Sequence, residues 1–586
     1  MSPKGKTGSL LAARFFACCS VCLWSLLALA QETADGPEAA SGWQQKTAAF
    51  GQNAMVASAN PLATEAALEI LALGGNAIDA AITAQFVLNL VEPQSSGIGG
   101  GGFLLYYDAR TRRVSAYDGR ETAPAAATEQ RFAAADGAPL PWTDLVASGK
   151  SVGVPGLVAL LALVHERHGH LRWERLLRPA LRLADEGFAV SPRLHHLLQA
   201  DPWLRRDAAA RLLYYQEDGS ALPVGTRLAN PLFAQTMRQL ANDGPQAFYQ
   251  SDFARDIVAA IAARTGLADD LNVQDLAGYR ARERRVICGR YRGYRICGMP
   301  PPSSAGVTLM QVLGLLERTS FAQQAPLSPL AVHFFAEAGR LAYADRRHYL
   351  ADPDFVAVPV QPLLAAPYLD GRARLILAER SMGRAAPGKI AGTRRSDGGS
   401  PERPGTTHLS IVDAQGNAVA LTSSVESAFG SRLMVRGFLL NNQLTDFSFL
   451  PSRDGQLVAN RVEARKRPLS SMAPTLVFDR RDRLYAVLGS SGGTRIINDV
   501  AQTLTALLDW RMAPAEALAL PHYGSRNGPT ELEAGRAPSA IADSLRSLGH
   551  RVEMQTMTSG IHLIVRGESG WLGAADPRRE GSASGY

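Results

Sequence analysis

The chain has 586 residues, of which 46% are hydrophobic and 20% are charged, and its 61 basic and 54 acidic side chains give a formal net charge of +7. A chain of this length and apolar content can bury a large core, which excludes an intrinsically disordered protein. The charges are mixed and form no dense basic arm, so the composition gives no sign of nucleic-acid binding.

The first residues predict an export signal. Three basic side chains precede an apolar run at residues 15–30, "FFACCSVCLWSLLALA", which ends in the small residues of a cleavage site. An uncleaved membrane anchor is the alternative, but the apolar run is shorter than the ~20 residues that a spanning helix needs. We expect residues 1–30 to be removed and the mature protein to be exported, periplasmic or extracellular.

Helical patterns follow from residue 61 onward. "PLATEAALEILALGGNAIDAAITAQFVLNLVEPQ" has helical spacing, with Gly74 at the end of one predicted helix and Asn76 as the cap of the next. The glycine loop "GIGGGG" then leads into a predicted hairpin. This loop matches G-x-G-x-x-G but follows a helix and enters a strand, the reverse of a dinucleotide-binding unit, so we do not expect that function.

The two cysteines beyond the export signal lie in "VICGRYRGYRICG". If residues 292–293 form a two-residue hairpin turn, Tyr291 pairs with Tyr294 and the same register places Cys288 opposite Cys297. A cross-strand disulfide is then geometrically possible, and export to an oxidising compartment favours it. Two free buried thiols are the alternative.

Residues 383–405, "GRAAPGKIAGTRRSDGGSPERPG", form the clearest break in the chain. The stretch contains six glycines, three prolines and four arginines, and almost no large apolar side chain. This composition predicts an exposed, mobile linker that can be cut. A strand pattern begins directly after it at Thr406, in "TTHLSIVDAQGNAVALTSS".

A cut between Gly405 and Thr406 would change the chemistry of the threonine. Thr406 would then carry a hydroxyl nucleophile together with a free α-amine of pKa about 7.7–8.0, which can act as its general base. "DAQGN" predicts a hairpin turn, and pairing of Asp413 with Asn417 places Thr406 opposite Ser424. Periodicity alone favours the alternative, which is an ordinary strand threonine.

A second candidate nucleophile lies at residues 489–493, "GSSGG". The sequence fits the G-x-S-x-G nucleophile elbow, with a predicted strand before it and a predicted helix after it. Asp543, His550 and His562 lie downstream and could complete a triad with Ser491. Judged from the residues alone, this serine hydrolase is the best rival hypothesis, although it leaves the linker and the strand start at Thr406 unexplained.

Eight motifs resemble those of the γ-glutamyltranspeptidase (glutathione hydrolase) family of N-terminal nucleophile hydrolases, in that family's order from about residue 50 to Tyr586. They are "GGNAIDAAITAQFVLNLVEPQSSGIGGGGF", "DGRETAP", "PPPSSAGVTLMQVL", "TTHLSIVDAQGNAVALTSS", "LLNNQLTDFS", "KRPLSSMAPT", "GSSGGTRI" and "ADPRREGSASGY". The resemblance implies an α/β fold, a four-layer αββα sandwich built jointly by two subunits. These would be a large subunit at residues 31–405 and a small catalytic subunit at residues 406–586, separated by autocatalytic cleavage.

The resemblance also implies catalytic roles. The hydroxyl of Thr406 would attack the γ-carbonyl of the donor, with Ser424 as a supporting hydroxyl. The backbone N–H groups of Gly492 and Gly493 would hold the oxyanion, so the "GSSGG" motif would be an oxyanion loop.

Six further residues would bind the glutamyl unit. A guanidinium with hydroxyls suits the α-carboxylate, whereas acids and other acceptors suit the α-ammonium. The carboxylate partners would be Arg120, Ser470 and Ser471, and the ammonium partners would be Glu426, Gln443 and Asp446. Without the resemblance, each of these residues reads as an ordinary surface or loop side chain.

Three features depart from the family pattern. Ser424 stands where several members have Thr, and Glu426 stands where others have Asn. The segment 447–467 is shorter than in members with an aromatic-bearing lid and contains no tyrosine. We expect an open site that would admit larger γ-glutamyl or acyl donors.

The predicted function is that of an exported γ-glutamyltransferase and glutathione hydrolase. Its donors would be glutathione and other γ-glutamyl compounds, and water or an amino acid or dipeptide acceptor would resolve the γ-glutamyl ester on Thr406. No metal, organic cofactor or nucleic acid is expected, and the two subunits would form a heterodimer. The alternatives are a glutaryl- or cephalosporin-type acylase of the same fold, the serine hydrolase using Ser491, and a secreted binding protein without activity.

Overall fold

Two seven-stranded sheets form the centre of the protein in a computed structural model, which describes residues 40–134, 136–268, 270–392, 396, 403 and 405–586. The predicted export signal at residues 1–30 lies outside the described residues. None of the described helices is both long enough and apolar enough to cross a membrane.

The strands are β1 (Ala49–Gly51), β2 (Met55–Ser58), β3 (Gly101–Asp108), β4 (Arg113–Gly119), β5 (Phe188–Ala189), β6 (Arg227–Leu228), β7 (Arg282–Arg284), β8 (Ile287–Tyr291), β9 (Tyr294–Gly298), β10 (Thr406–Val412), β11 (Ala418–Ser424), β12 (Met434–Val435), β13 (Phe438–Leu439), β14 (Ser452–Arg453), β15 (Gln456–Leu457), β16 (Thr475–Phe478), β17 (Leu484–Gly489), β18 (Tyr523–Gly524), β19 (Thr530–Glu533), β20 (Val552–Gln555), β21 (His562–Arg566), β22 (Trp571–Ala575) and β23 (Ser582–Gly585).

The α-helices are α1 (Pro61–Ala72), α2 (Ala77–Val91), α3 (Trp142–Ser148), α4 (Leu157–His168), α5 (Trp173–Glu186), α6 (Pro192–Ala200), α7 (Ala208–Tyr214), α8 (Pro231–Asp243), α9 (Ala247–Gln250), α10 (Asp252–Thr265), α11 (Val273–Gly278), α12 (Ala305–Leu316), α13 (Pro329–Tyr349), α14 (Val360–Leu364), α15 (Ala366–Ala373), α16 (Ile496–Leu508), α17 (Pro514–Ala519) and α18 (Ser539–Ser547). As predicted, Asn76 caps α2 through its side chain.

The two sheets pack face to face between two layers of helices. The first sheet has the order β23-β2-β10-β11-β3-β4-β7, and the second has the order β1-β22-β21-β17-β16-β9-β8. Side chains such as Phe103, Leu476 and Ile564 fill the space between them. Helices α1, α2, α4 and α5 cover the outer face of the first sheet, and α12, α13 and α16 cover that of the second. The predicted four-layer αββα sandwich is therefore confirmed.

The first sheet contains strands from both sides of the predicted cut. Strand β10, which begins at Thr406, lies between β2, which belongs to the predicted large subunit, and β11. Strand β11 in turn pairs with β3. The predicted hairpin register is confirmed, because the N–H of Asp413 donates to the carbonyl of Asn417 at 3.0 Å and Thr406 lies opposite Ser424.

The predicted hairpin with the two cysteines is also present. Strands β8 and β9 pair with Tyr291 opposite Tyr294 and Cys288 opposite Cys297. The sulfur atoms of the two cysteines are bonded to each other, so the disulfide alternative is the one that the structure contains.

Loss of this disulfide is expected to lower stability without removing activity. The bond closes a loop with a sequence separation of 9, for which the loss of chain entropy in the unfolded state stabilises the folded protein by about 2–3 kcal/mol. We expect the free energy of unfolding of the double variant Cys288→Ser/Cys297→Ser, measured by urea unfolding, to be lower by this amount. Reduced wild-type protein is the control and should match the variant. Equal stability of the variant and the oxidised protein would contradict the expectation.

The first part of the predicted linker makes hydrogen bonds to distant parts of the chain. The N–H of Ala385 donates to Oδ1 of Asn527 at 2.8 Å, and Nδ2 of Asn527 donates to the carbonyl of Ala385 at 2.9 Å. The N–H of Gly388 donates to the buried carboxylate of Asp345 at 2.8 Å. These bonds join the start of the predicted linker to the rest of the protein, whereas residues 393–395, 397–402 and 404 lie outside the described residues. The mobility of 383–405 stays a prediction.

Candidate active site

Thr406, Ser424 and the carbonyl of Gly405 form a chain of polar contacts at the start of β10. Thr406 is 4% exposed, and its hydroxyl donates to Oγ of Ser424 at 3.4 Å. The Ser424 hydroxyl donates to the carbonyl oxygen of Gly405 at 2.7 Å. One serine therefore contacts both the candidate nucleophile and the carbonyl group that the nucleophile would attack.

Gly405 has no room for a side chain. A Cβ atom built at this position would lie 2.0 Å from the carbonyl oxygen of Glu426. Backbone cannot yield to such a contact as the end of a flexible side chain can, so any larger residue must displace the Gly405–Thr406 peptide. The sequence showed only that Gly405 is small, whereas the structure gives the steric reason.

A Gly405→Ala substitution is expected to slow cleavage of the chain before Thr406 about tenfold or more, because the displaced carbonyl loses its alignment with the Thr406 and Ser424 hydroxyls. The uncut fraction of freshly made protein, followed by gel over time, measures the effect. Gly371→Ala is the matched control, because a Cβ atom at that helical position meets nothing within 4 Å. Equal maturation of the two variants would contradict this interpretation of Gly405.

A small cavity beside Thr406 gathers most of the residues predicted to bind substrate. Its lining consists of Arg120, Arg403, Thr406, Ser424, Gln443, Asp446, Ser470, Ser471, Met472, Gly493 and Ile496. Of the other predicted site residues, Gly492 directly precedes Gly493 in the chain. The remaining one, Glu426, accepts a hydrogen bond at 3.0 Å from the backbone N–H of Arg403. Residues far apart in sequence thus meet at one place.

Arg120 is fully buried at the base of this cavity. Its Nη2 donates to Asp446 at 2.6 Å and to the carbonyl of Leu469 at 2.8 Å. Its Nη1 has no hydrogen-bond partner among the described residues and lies 3.7 Å from Glu121. A buried donor of this kind is suited to an incoming carboxylate.

Asp446 joins the two predicted halves of the substrate site. Besides the guanidinium of Arg120, it accepts a hydrogen bond at 2.7 Å from the side-chain amide of Gln443. The group predicted to bind the α-carboxylate and a group predicted to bind the α-ammonium therefore neutralise each other. A zwitterionic ligand would supply a charge of opposite sign to each.

Burial raises the pKa of two carboxyl groups beside the Arg120–Asp446 pair to about 8. They belong to Glu121 and Glu426. The negative charge of Asp446 raises the pKa of Glu426 further, while the Arg403 N–H and the Asn442 amide oppose the shift by donating to it. Both carboxyl groups are therefore largely protonated near neutral pH.

The pKa of Glu426 predicts a pH-dependent loss of stability. The pKa rises from its ordinary value of 4.5 to about 8 on folding, so the folded chain binds an extra proton between these pH values. The free energy of unfolding therefore falls as pH rises through this interval. In uncut Thr406→Ala protein, we expect an added Glu426→Gln substitution to raise stability at pH 9 by about 1–3 kcal/mol.

The same substitution should change stability little at pH 4–5, where the wild-type carboxyl is protonated as well. Thermal unfolding from pH 4 to 9 measures the difference between the two proteins. Glu568→Gln, at an exposed position, is the control and should show no such trend. A Glu426→Gln effect that is constant with pH would contradict the raised pKa.

The glycine loop between β17 and α16 has the backbone expected of an anion-binding turn. Gly492 and Gly493 have φ values of 133° and 59°, a region that favours glycine. The loop leads into the N-terminus of α16, where the helix dipole favours negative charge. The assignment of its N–H groups to an oxyanion hole stays a prediction.

Three other residues of the site were not predicted from the sequence. Arg346 of α13 donates to the Ser471 hydroxyl at 2.8 Å and thereby positions a predicted carboxylate ligand. Asp499 lies beside Gly492, and burial raises its pKa to about 8. Arg403 enters the cavity from the predicted linker. Of the three, only Asp499 has a signal in the sequence, because it is an acid in the first turn of the helix that the "GSSGGTRI" motif leads into.

The structure contradicts the serine hydrolase hypothesis. The hydroxyl of Ser491 is buried and has no hydrogen-bond partner among the described residues. His550 is bonded instead to His333 at 2.7 Å and to Thr530 at 2.7 Å, while Asp543 pairs with Arg546 at the surface. Both ring nitrogens of His562 are likewise buried without a hydrogen-bond partner among the described residues. Ser491 is therefore bonded to neither histidine and Asp543 is paired elsewhere, so the described residues do not form the predicted triad.

Comparison with known proteins gives a consistent result. The sequence model described as Gamma-glutamyltranspeptidase matches residues 63–586. The chain is 34% identical over 556 residues to the glutathione hydrolase proenzyme of Bacillus subtilis (strain 168), covering 92% of this chain and 93% of that protein. It is 36% identical over 538 residues to the glutathione hydrolase proenzyme of Escherichia coli (strain K12), covering 89% and 90%. The crystal structure of cephalosporin acylase from Bacillus halodurans superposes with a TM-score of 0.80 at 26% identity, covering 93% and 97%.

Proposed function

Because the chain belongs to the gamma-glutamyltranspeptidase family of N-terminal nucleophile hydrolases and transferases, we propose that it is a γ-glutamyltransferase and glutathione hydrolase with Thr406 as its nucleophile. The observation that supports this proposal best is the contact chain from Thr406 through Ser424 to the Gly405 carbonyl, beside a cavity that holds the Arg120–Asp446 pair.

Maturation would begin within the folded precursor. The hydroxyl oxygen of Thr406 bonds to the carbonyl carbon of Gly405, and the C–N bond between the two residues breaks. The hydroxyl proton passes to the released nitrogen, which becomes the α-amine of Thr406. Water then hydrolyses the ester and leaves a carboxylate on Gly405. The hydrogen bond from Ser424 to the Gly405 carbonyl would stabilise the charge that develops on that oxygen.

Catalysis would repeat this chemistry on a γ-glutamyl amide. The α-amine of Thr406 takes the hydroxyl proton as the oxygen attacks the γ-carbonyl, and the proton then goes to the departing amine. The N–H groups of Gly492 and Gly493 would stabilise the oxyanion. Water or the amine of an amino acid or dipeptide acceptor would resolve the ester, giving glutamate or a new γ-glutamyl amide.

The cavity offers a partner to each charge of a glutamyl donor. The α-carboxylate would take the open Nη1 of Arg120 and the Ser470 and Ser471 hydroxyls. The α-ammonium would face Asp446, Gln443 and Glu426. Such a set favours a zwitterionic amino acid end, because a donor that lacks one charge leaves a buried polar group unpaired.

The proposal includes export and a two-chain mature form. The composition of residues 1–30 supports removal as a signal peptide. The pairing of β10 with β2 supports a large subunit of residues 31–405 and a small subunit of residues 406–586 that stay together as a heterodimer.

Amino-terminal sequencing of the smaller fragment is the first test. We expect Thr-Thr-His-Leu-Ser, together with release of p-nitroaniline from γ-glutamyl-p-nitroanilide and a faster release when a dipeptide acceptor is added. A fragment with another start would contradict Thr406 as the nucleophile. Correct cleavage without turnover would leave maturation supported and the proposed activity wrong.

The similarity to a cephalosporin acylase supports a second candidate function, the cleavage of glutaryl-type amides. Glutaryl-p-nitroanilide has the same leaving group but no α-amine, so it separates the two functions. We expect it to react about a hundredfold or more slowly than the γ-glutamyl donor, because Asp446 and Glu426 lose their ligand. Equal or faster cleavage of the glutaryl donor would favour the acylase.

A further inference from the structure

A cavity of about 780 Å³ lies along β8, the last strand of the second sheet. We call it the edge cavity. Its lining includes every residue from 284 to 290, together with residues of α12, α14 and α15. None of its lining residues also lines the cavity beside Thr406, and none has a role in the proposed function.

Strand β8 has an open edge, because β9 is its only partner among the described strands. Residues 292–293 form a two-residue turn with positive φ at both positions, so Tyr291 and Tyr294 are a hydrogen-bonded pair. Such pairs alternate along an antiparallel ladder, so Cys288 and Arg290 direct their N–H and C=O groups away from β9. Neither residue makes a backbone hydrogen bond to a described residue outside the hairpin. These groups are therefore open to an added strand.

The two faces of an added strand would meet different surroundings. A Cβ atom built at Gly289 would clash with the side chain of Met310 in α12, so Gly289 faces the helices. The edge cavity is apolar on that side, where its lining includes Met310, Val360, Leu364 and Leu369. Cys288 and Arg290 flank Gly289 in the strand and therefore face the opposite way. Both are exposed.

Positive charge is in excess along this edge. Of the four arginines in the lining, two pair with aspartates at 2.7 and 2.6 Å. The other two, Arg285 and Arg290, are exposed and form no ion pair with an acid in the part of the chain that the structure describes. One acid of the lining, Glu317, accepts a hydrogen bond from the N–H of Arg292 at 2.9 Å. The edge thus favours a partner that brings negative charge.

We propose that β8 is a docking edge for an extended peptide in which apolar and acidic residues alternate. The peptide would complete the open backbone hydrogen bonds, place its apolar side chains in the edge cavity and place its acids beside Arg285 and Arg290. A second copy of this chain fits less well. Antiparallel pairing of β8 with β8 would bring the same arginines of both copies together, and like charges across neighbouring strands are destabilising. The inference goes beyond the proposed function and does not depend on it.

Binding of a fluorescein-labelled Val-Glu-Val-Glu-Val amide to the full protein, measured by fluorescence polarisation, tests the inference. We expect a Kd of about 10–100 μM at low salt and binding about threefold or more weaker at high salt, where the charges are screened. The same peptide with lysine in place of glutamate should bind about tenfold or more weakly. Equal binding of the two peptides would overturn the inference. Absence of binding would also overturn it and leave the arginines as charges that keep the edge unpaired.

Methylation of the peptide backbone tests strand pairing without any change to the protein. In an added antiparallel strand, the N–H groups that face β8 belong to the residues opposite Cys288 and Arg290, whose side chains share the face of Arg290. These residues are the glutamates. N-methylation of both glutamates should therefore weaken binding about tenfold or more, whereas N-methylation of the second and third valines should change it less than about threefold. Equal effects of the two methylations would overturn strand addition.

Protein variants locate the binding surface. The double variant Arg285→Ser/Arg290→Ser should bind the glutamate peptide about fivefold or more weakly, because both exposed cations are lost. Arg481→Ser, at an exposed arginine outside the edge cavity, is the matched control and should bind as the wild type does. Thermal unfolding should be the same for all three proteins. Unchanged affinity in the double variant would overturn the inference.

Discussion

A Thr406→Ala variant is expected to remain a single uncut chain and to lose γ-glutamyl transfer by about ten-thousandfold or more. The substitution removes the hydroxyl that would attack the Gly405 carbonyl, so the α-amine is never released. Both the nucleophile and its general base are then missing. A denaturing gel, amino-terminal sequencing and release of p-nitroaniline measure the two losses separately.

Substitutions of two other hydroxyl groups supply controls for this variant. The hydroxyl of Thr407 is buried without a hydrogen-bond partner among the described residues, so Thr407→Ala should cut itself normally. Ser491→Ala should also mature, because the Ser491 hydroxyl has no hydrogen-bond partner among the described residues and no role in the proposed cleavage. Thr406→Ser keeps a hydroxyl and should retain slow cleavage. Normal maturation of Thr406→Ala protein would contradict the threonine mechanism.

The second large effect is expected from the Arg120–Asp446 pair. Its side chains are 1% and 4% exposed, and removal of one partner from a buried ion pair destabilises a protein by about 3–5 kcal/mol. Asp446→Leu should therefore lower stability by this amount. It should also reduce kcat/KM for the γ-glutamyl donor about a thousandfold, because the α-ammonium would lose an acidic partner and Arg120 loses the ion pair that orients it.

A double variant distinguishes the two effects. Arg120→Met/Asp446→Leu removes both charges and replaces them with apolar side chains of similar size, so stability should return toward the wild-type value. Activity should not return, because neither end of the glutamyl unit has its partner. Urea unfolding and donor kinetics on the three proteins make the comparison. A double variant with wild-type KM would show that the pair does not bind substrate.

Local pattern was sufficient to predict the elements that carry the candidate chemistry. The turn at "DAQGN" determines the hairpin register, and the register alone places Thr406 opposite Ser424. The same reasoning placed Cys288 opposite Cys297. Both results depend on contacts within about twenty residues, where turn geometry limits the alternatives.

Contacts between distant parts of the chain could not be predicted in this way. The linker composition indicated mobility, but Asn527 and Asp345 hold its first residues from far away in sequence. In the sequence, Arg403 is only one of several charged residues in the predicted linker. The contact of its side chain with Trp142 is visible only in the folded structure. The pKa of Glu426 depends on burial and on Asp446, and neither can be determined from the residue itself.

In the first sheet, strands from before the predicted cut are interleaved with strands from after it. This strand order changes how the protein can assemble. An uncut chain folds as one molecule, so its folding equilibrium does not depend on concentration. After a cut before β10, the same sheet contains strands from two molecules, and unfolding releases two chains whose recombination is second order. After maturation, only the noncovalent contacts of the folded sheet would hold the two chains together. Refolding of the mature protein would therefore depend on protein concentration, whereas refolding of the uncut chain would not.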